Sequence, residues 1–351
     1  MDTISTIAMA LGALALPVAI VMFIISLIKK KSKKTPLIIF AVGIVLFIVG
    51  GLMTPSEPTT EEEPQVTLNP IVQTIEKGVL QYPASNDDFK YNVYDTYVEI
   101  TEYIGEEDAE RVTVPATLEN LPVYVVDAYV FDKSEVSAIV FENGIYDIKS
   151  GFSPSVKSVT LPSTLKWVGA YQFKNCYALE NVVIPEGISG IQLGAFAHCS
   201  SLKEVTIPST VAYIGTEAFS YCSELEKVNI SEGVKGIEKD AFIMCEELET
   251  LVIPSTVKEI GYHAFQGSGL VSIEIPATVE SIGASAFLAC ESLEEVKFHN
   301  SDITVKPEDL GSYGIDKGLF GQCNEDLVVY GKPASEIANV CANQNIYFKP
   351  F

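Results

Sequence analysis

Along most of the chain, apolar and polar positions follow one block that is written again and again. In LKEVTIPSTVAYIGTEAFSYC, residues 202–222, apolar side chains fall first at Leu202, Val205 and Ile207, with polar or β-branched residues between them. That spacing predicts a short strand with one apolar face. In most copies a proline follows, at Pro115, Pro162, Pro185, Pro208, Pro254 and Pro276. Proline has no N–H to give a strand ladder, so the strand ends there. The remainder, V-x-x-I-G-x-x-A-F-x-x-C, returns the chain past Val211, Ile214, Ala218 and Phe219. It is expected to form a short turn of helix or 3₁₀.

The block keeps a nearly fixed length. Phe173, Phe196, Phe219, Phe242, Phe265 and Phe287 are spaced by 23, 23, 23, 23 and 22 residues. Slightly shorter copies end at Phe152 and Phe173, and a degenerate one at Phe131. Such a period means stacked coils, each touching only its neighbours. The strands are expected to form a parallel ladder on one side, with the phenylalanines filling the middle. Crossovers between parallel strands are right-handed, which predicts a right-handed coil. Glycine follows the isoleucine at Gly169, Gly215, Gly261 and Gly283, whereas Gln192 and Glu238 hold the alternate copies. The position is therefore not expected to need a positive φ.

The I-P-x-x-V-x-x-I-G-x-x-A-F-x-x-C core resembles the BspA-like leucine-rich repeat, from about Phe89 to Phe351. The resemblance implies an α/β leucine-rich repeat solenoid, right-handed, with a short parallel strand ladder. It also implies an N-terminal β-hairpin cap in YNVYDTYVEITEYIGEEDAERVTVPATLENLPVYVV and a closing segment in VVYGKPASEIANVCANQNIYFKP, with a short helix near 334–344. About ten extra residues between Phe287 and Phe320, within SDITVKPEDLGSYGID, are expected to loop out of the stack.

The first 53 residues have another pattern. Ile4 to Ile28 and Leu37 to Met53 are uncharged and apolar, separated by KKKSKK at 29–34. Each is long enough to span a bilayer, and the lysine loop is expected in the cytoplasm. An acidic start and an overlong apolar run argue against a cleaved signal peptide. The expected order is a pair of transmembrane helices, 1–53, then an acidic Pro/Thr/Glu linker, 54–80, then an N-terminal β cap, 81–127. The repeats, 128–325, and a C-terminal cap, 326–351, complete it. This predicts a two-span cell-membrane protein with an extracellular repeat domain.

Charge and side-chain chemistry narrow the function. The chain holds 23 Lys and Arg against 46 Asp and Glu, a net charge of −23. That argues against nucleic acid as a partner. Cys176, Cys199, Cys222, Cys245, Cys290 and Cys323 each stand three residues after a repeat Phe, and Ser268 takes that place once. A fixed phase reads as a column of small buried side chains. Vertical disulfides are within reach of the coil spacing, but parallel side chains seldom meet their geometry. Cys341 lies outside the column, in the closing segment. His198, His263 and His299 lack partners at a telling spacing, and Glu61–Glu63 and Glu106–Asp108 have no calcium-loop register. No motif assembles a nucleophile with a base. No enzyme, cofactor or metal site is expected; a hydrolase hidden in 300–317 is the minor alternative.

The solvent face of the ladder is the natural binding surface. Its outward positions are Thr113, Val140, Thr160, Val183, Thr206, Asn229, Val252, Glu274 and Lys297. The candidate binding face is taken as Thr160 through Lys297 of that column, offered to a protein or peptide ligand. The neighbouring outward column runs Ser158, Asn181, Glu204, Lys227, Thr250, Ser272 and Glu295. The resemblance implies a membrane-anchored surface protein for protein–protein interaction or adhesion. The alternative is a non-catalytic subunit of a cell-envelope complex acting through the helix hairpin.

Overall fold

The computed structural model describes residues 78–351, apart from Ala128 and residues 308–317. The outward-facing strands form an 11-stranded parallel ladder in chain order, from Arg111–Val114 through Glu204–Ile207 to Tyr347–Pro350. Pairing is in register: Val205 lies beside Val228 and Ile207 beside Ile230. The described chain is thus a β-solenoid.

The return half of each coil differs from expectation. Instead of a helical turn, the x-I pair forms a two-residue strand, as at Tyr213–Ile214 and Gly236–Ile237. These pairs make a second parallel ladder of seven strands, from Trp167–Val168 to Thr304–Lys306. The reason lies in where the backbone hydrogen bonds go. Phe196 N donates to Ala218 O, Phe219 N to Ala241 O and Phe242 N to Ala264 O, at 2.8–2.9 Å. Each N–H looks one coil onward, so the i→i−4 bonds of a helix do not form. The fold is therefore less α/β than expected. The one α-helix among the described residues is Glu336–Gln344, capped by Ser335 Oγ accepting from Ala338 N and by Asn345 in the left-handed region. It carries the chain between the last two strands of the long ladder, Val328–Gly331 and Tyr347–Pro350.

The phenylalanines make the expected spine. Neighbouring rings from Phe173 to Phe320 lie 5.2–6.0 Å apart and within 14° of parallel. Phe152 and Phe131 extend the column below, and an edge-on ring ends it at each side, Phe89 against Phe131 and Phe298 against Phe320. Offset stacking and edge-on closure are the favoured aromatic geometries. Beside the spine runs the cysteine column, with all seven thiols free. From Cys199 on, each Sγ of the column donates to the carbonyl of the Phe one coil back: Cys199 to Phe173, Cys222 to Phe196, Cys245 to Phe219, Cys290 to Phe265 and Cys323 to Phe287, at 2.9–3.3 Å. Ser268 takes the place of the missing cysteine and lies 3.5 Å from Cys290 Sγ.

Coils alternate in kind. In one kind a Glu-Gly or Asn-Gly pair follows the strand; in the next a Ser-Thr pair does. Glu232 accepts from Ser255 N and Oγ and Thr256 N, while Gly233 N donates to Thr256 Oγ1. The same cradle joins Glu186-Gly187 to Ser209-Thr210 and Asn143-Gly144 to Ser163-Thr164. Gly233 sits at φ +127°, and a methyl there would fall 2.0 Å from Ser209 O. Gly233→Ala is expected to cost about 1–3 kcal/mol from the backbone alone, read as a lowered urea midpoint. The alternation breaks once, where Thr278 follows the Ser255-Thr256 coil, and its buried Oγ1 has no hydrogen-bond partner. The glycines after the isoleucine, such as Gly215, are not at positive φ, as expected.

Two other expectations change. The insertion does not leave the stack at its start: Ile303 is buried, and Thr304–Lys306 pairs with Ser281–Gly283 in the second ladder. Val305 occupies the rung of Ile282, so the repeat pattern persists there under a different spelling. The expected membrane hairpin, 1–53, and nearly all of the linker lie outside the described residues. The localisation as a two-span membrane protein is corrected: among the described residues no helix is long and apolar enough to cross a membrane. The helix present has nine residues, about 14 Å of rise against roughly 30 Å of hydrocarbon.

Candidate binding face

Period-two alternation sends every second side chain of the long ladder to solvent. The structure brings the predicted column together on one surface. Thr160 pairs laterally with Val183, Thr206 with Asn229, and Glu274 with Lys297. Two aliphatic side chains stand open on it, Val183 at 56% and Val252 at 79% exposed.

The middle of the face closes on itself. Glu204 Oε1 accepts from Lys227 Nζ at 2.7 Å and from Asn229 Nδ2 at 2.9 Å. The Lys227 ammonium, followed by Asn229, holds the Glu204 carboxyl below its ordinary value. Thr206 touches the same group, 3.4 Å from Asn229 Nδ2.

Toward the C-terminal side the face opens into a shallow cleft of about 670 Å³. Val252, Ile253 and Pro276 give it an apolar wall; Glu274, Glu295, Lys297 and His299 give it a charged one. Lys297 Nζ bridges Glu274 and Glu295. His299 Nε2 lies 3.3 Å from Glu274 Oε2. The His299 hydrogen bond lowers the Glu274 carboxyl below its ordinary value, with Lys297 adding to it. The Glu295 hydrogen bond raises the Lys297 ammonium above its own. Glu274 and His299 are exposed and Glu295 and Lys297 half-buried, all mutually paired, an arrangement suited to exchanging partners with a ligand's charges.

Several members of this surface were not foreseen. Tyr330 and Lys349 continue the outward column past Lys297, pairing laterally with Lys297 and with each other. Lys297 and Lys349 ammoniums lie over the Tyr330 ring, at 5.8 and 5.2 Å. His299 is joined by the Phe351 ring at 5.6 Å. The signal for His299 was available: it stands two residues past Lys297, on the same face.

Other candidate chemistry does not assemble. Among the described residues no group of three or more His, Cys, Asp or Glu is placed to hold a metal ion. Glu61–Glu63 lie outside the described residues, as does most of the loop considered for a hydrolase. His198 stacks on Tyr221 at 4.7 Å, and His263 lies 3.3 Å from Asp240.

The sequence matches the family of the BspA type leucine rich repeat region in six copies, over residues 124–248 and 214–324. No curated protein matches it. Among solved structures, a leucine-rich repeat protein from Bacteroides ovatus is 24% identical, with a TM-score of 0.51 and 71% of each chain covered. A leucine rich cell surface protein from Faecalibacterium prausnitzii is 22% identical with a TM-score of 0.49, covering 77% of this chain and 95% of that one. The T. pallidum leucine rich repeat protein is 24% identical with a TM-score of 0.46, covering 53% and 89%. At these identities the likeness shows the fold alone.

Proposed function

Because this chain belongs to the BspA-type leucine-rich repeat family, we propose that it is a non-catalytic module for protein–protein interaction or adhesion, using the solvent face of its long ladder. The observation that carries this is the cleft at its C-terminal side, where an aliphatic side chain 79% exposed stands beside a bridged charge group. A flat parallel ladder is rigid, so a ligand laid across it orders few protein side chains and the entropic cost of binding stays low. An extended peptide would set an apolar side chain against Val252 and Pro276 and a basic one against Glu274 and Glu295. The acidic balance of the chain favours basic partners through steering.

The test is capture of surface and matrix proteins on the immobilised chain, with each captured partner then titrated against variants. Val252→Lys and Glu274→Lys are each expected to weaken binding about tenfold, or roughly 1.4 kcal/mol, while leaving the unfolding midpoint unchanged. A partner whose affinity survives both substitutions binds elsewhere, and the assignment of this face fails.

A further inference from the structure

The second ladder carries a surface of opposite character. Its outward positions between Lys166 and Lys258 contain a single carboxylate, Glu238, in a chain of net charge −23. They contain three exposed lysines, Lys166, Lys235 and Lys258, and two aromatic rings, Trp167 and Tyr213. Carboxylates follow at Glu259, which pairs with Lys306, and at Glu280, which pairs with Lys258 at 3.1 Å. Glu238, on the next coil side, is turned to Thr216, accepting from its N and Oγ1 at 2.9 and 3.1 Å.

The two rings lie across the glycines of the following coil. Trp167 pairs laterally with Gly190 and Tyr213 with Gly236. A methyl on Gly190 would come within 3.2 Å of the indole, and one on Gly236 within 2.9 Å of the Tyr213 ring. Each ring is thus pressed against glycine backbone, and Tyr213 keeps 51% of its surface in solvent. Two coils separate the rings, about 10 Å at the spacing of paired strands. That is the length of a disaccharide.

We propose that this strip binds a linear acidic polysaccharide. Successive disaccharides present their C–H faces to the Trp167 and Tyr213 rings, whose electron-rich faces attract such hydrogens. Lys235 meets one carboxylate, and Lys258, on the adjacent coil, meets the next by exchanging its exposed Glu280 partner for it. The charge spacing separates this ligand from nucleic acid. A polyphosphate carries a charge on every nucleotide, which three lysines on a strongly acidic protein do not balance. A glycan with one carboxylate per disaccharide asks for far fewer cations. The strip lies on the other ladder from Val252 and Glu274, so this proposal stands apart from the one above.

The test is titration of the purified full-length chain with hyaluronan oligosaccharides, with neutral cellohexaose and single-stranded DNA alongside. Hyaluronan is expected to bind, more weakly as salt rises. Tyr213→Ala, and Lys235→Glu combined with Lys258→Glu, are each expected to weaken it about tenfold. Val252→Lys is expected to leave it unchanged. If Tyr213→Ala fails to fold, Ala212→Glu keeps the ring and carries the same expectation. Absence of hyaluronan binding, binding indifferent to these substitutions, or tighter binding of the DNA would each overturn the proposal.

Discussion

Phe219→Ala is expected to lower stability by about 3–5 kcal/mol, the cost of emptying a fully buried ring site. Phe219 is 0% exposed and stacks on both sides, 5.2 Å from Phe196 and 5.4 Å from Phe242. The rigid ladders on either side restrict collapse of the cavity, which places the loss toward the top of that range. Because each coil is held mainly by its neighbours, the effect is also spatial. The coils before and after the gap lose their coupling, so the single unfolding transition is expected to separate into two. Urea unfolding followed by circular dichroism and by tyrosine fluorescence reads both effects. Phe219→Leu, which refills part of the site, is expected to lose less. A loss below about 1 kcal/mol would show that the rings do not form a continuous packed column.

Alkaline pH is the second large lever. Burial pushes the Cys222 thiol from 9.0 up to about 12, and it does the same to Cys176. Cys199 and Cys245 are driven well above their ordinary value by the same desolvation. A folded-state pKa above the unfolded one means that the native chain holds its thiol protons longer. Stability from this source is therefore complete below about pH 9, the ordinary thiol value, and is lost as pH rises through the window to about 12. A three-unit difference corresponds to roughly 4 kcal/mol for one thiol at the top of the window. The column holds several, and Tyr94, raised to about 12 by burial and its bond to Glu99, acts in the same direction. The urea midpoint is expected to be flat from pH 7 to 8 and to fall steeply by pH 10.5. Cys199→Ala with Cys222→Ala should make that fall shallower. A midpoint independent of pH across this range would contradict the buried, protonated column.

The sequence carried the spine because a phenylalanine at constant spacing has few other readings, and Phe173 through Phe287 stack as that spacing requires. The outward column from Thr160 to Lys297 was equally readable, since alternation within a strand assigns faces directly. The second ladder was not. Its strands are two or three residues long, too short for alternation to register, and they exist only because hydrogen bonds run between coils, which a single copy of the repeat does not display. Val305 was passed over for a related reason: its coil replaces the usual V-x-x-I-G with I-T-V-K, and only lateral pairing with Ile282 reveals the equivalence. Tyr330 was readable from Phe320, ten residues before it, as Asn229 is from Phe219; Lys349 was not, because its strand follows a helix in place of a repeat coil.

The alternating cradles have a consequence for how such a chain can lengthen. A threonine hydroxyl is satisfied when the preceding coil ends its strand with Glu-Gly, as Thr256 is by Gly233. Thr278 follows a coil of its own kind and is stranded. Duplicating a Ser-Thr coil alone would copy that defect at a new junction, whereas duplicating a Glu-Gly coil together with the Ser-Thr coil that follows it would keep each threonine behind a glycine. The natural module for grafting or extending this protein is thus a doublet of about 46 residues, and the mismatch at Thr278 is where that parity breaks.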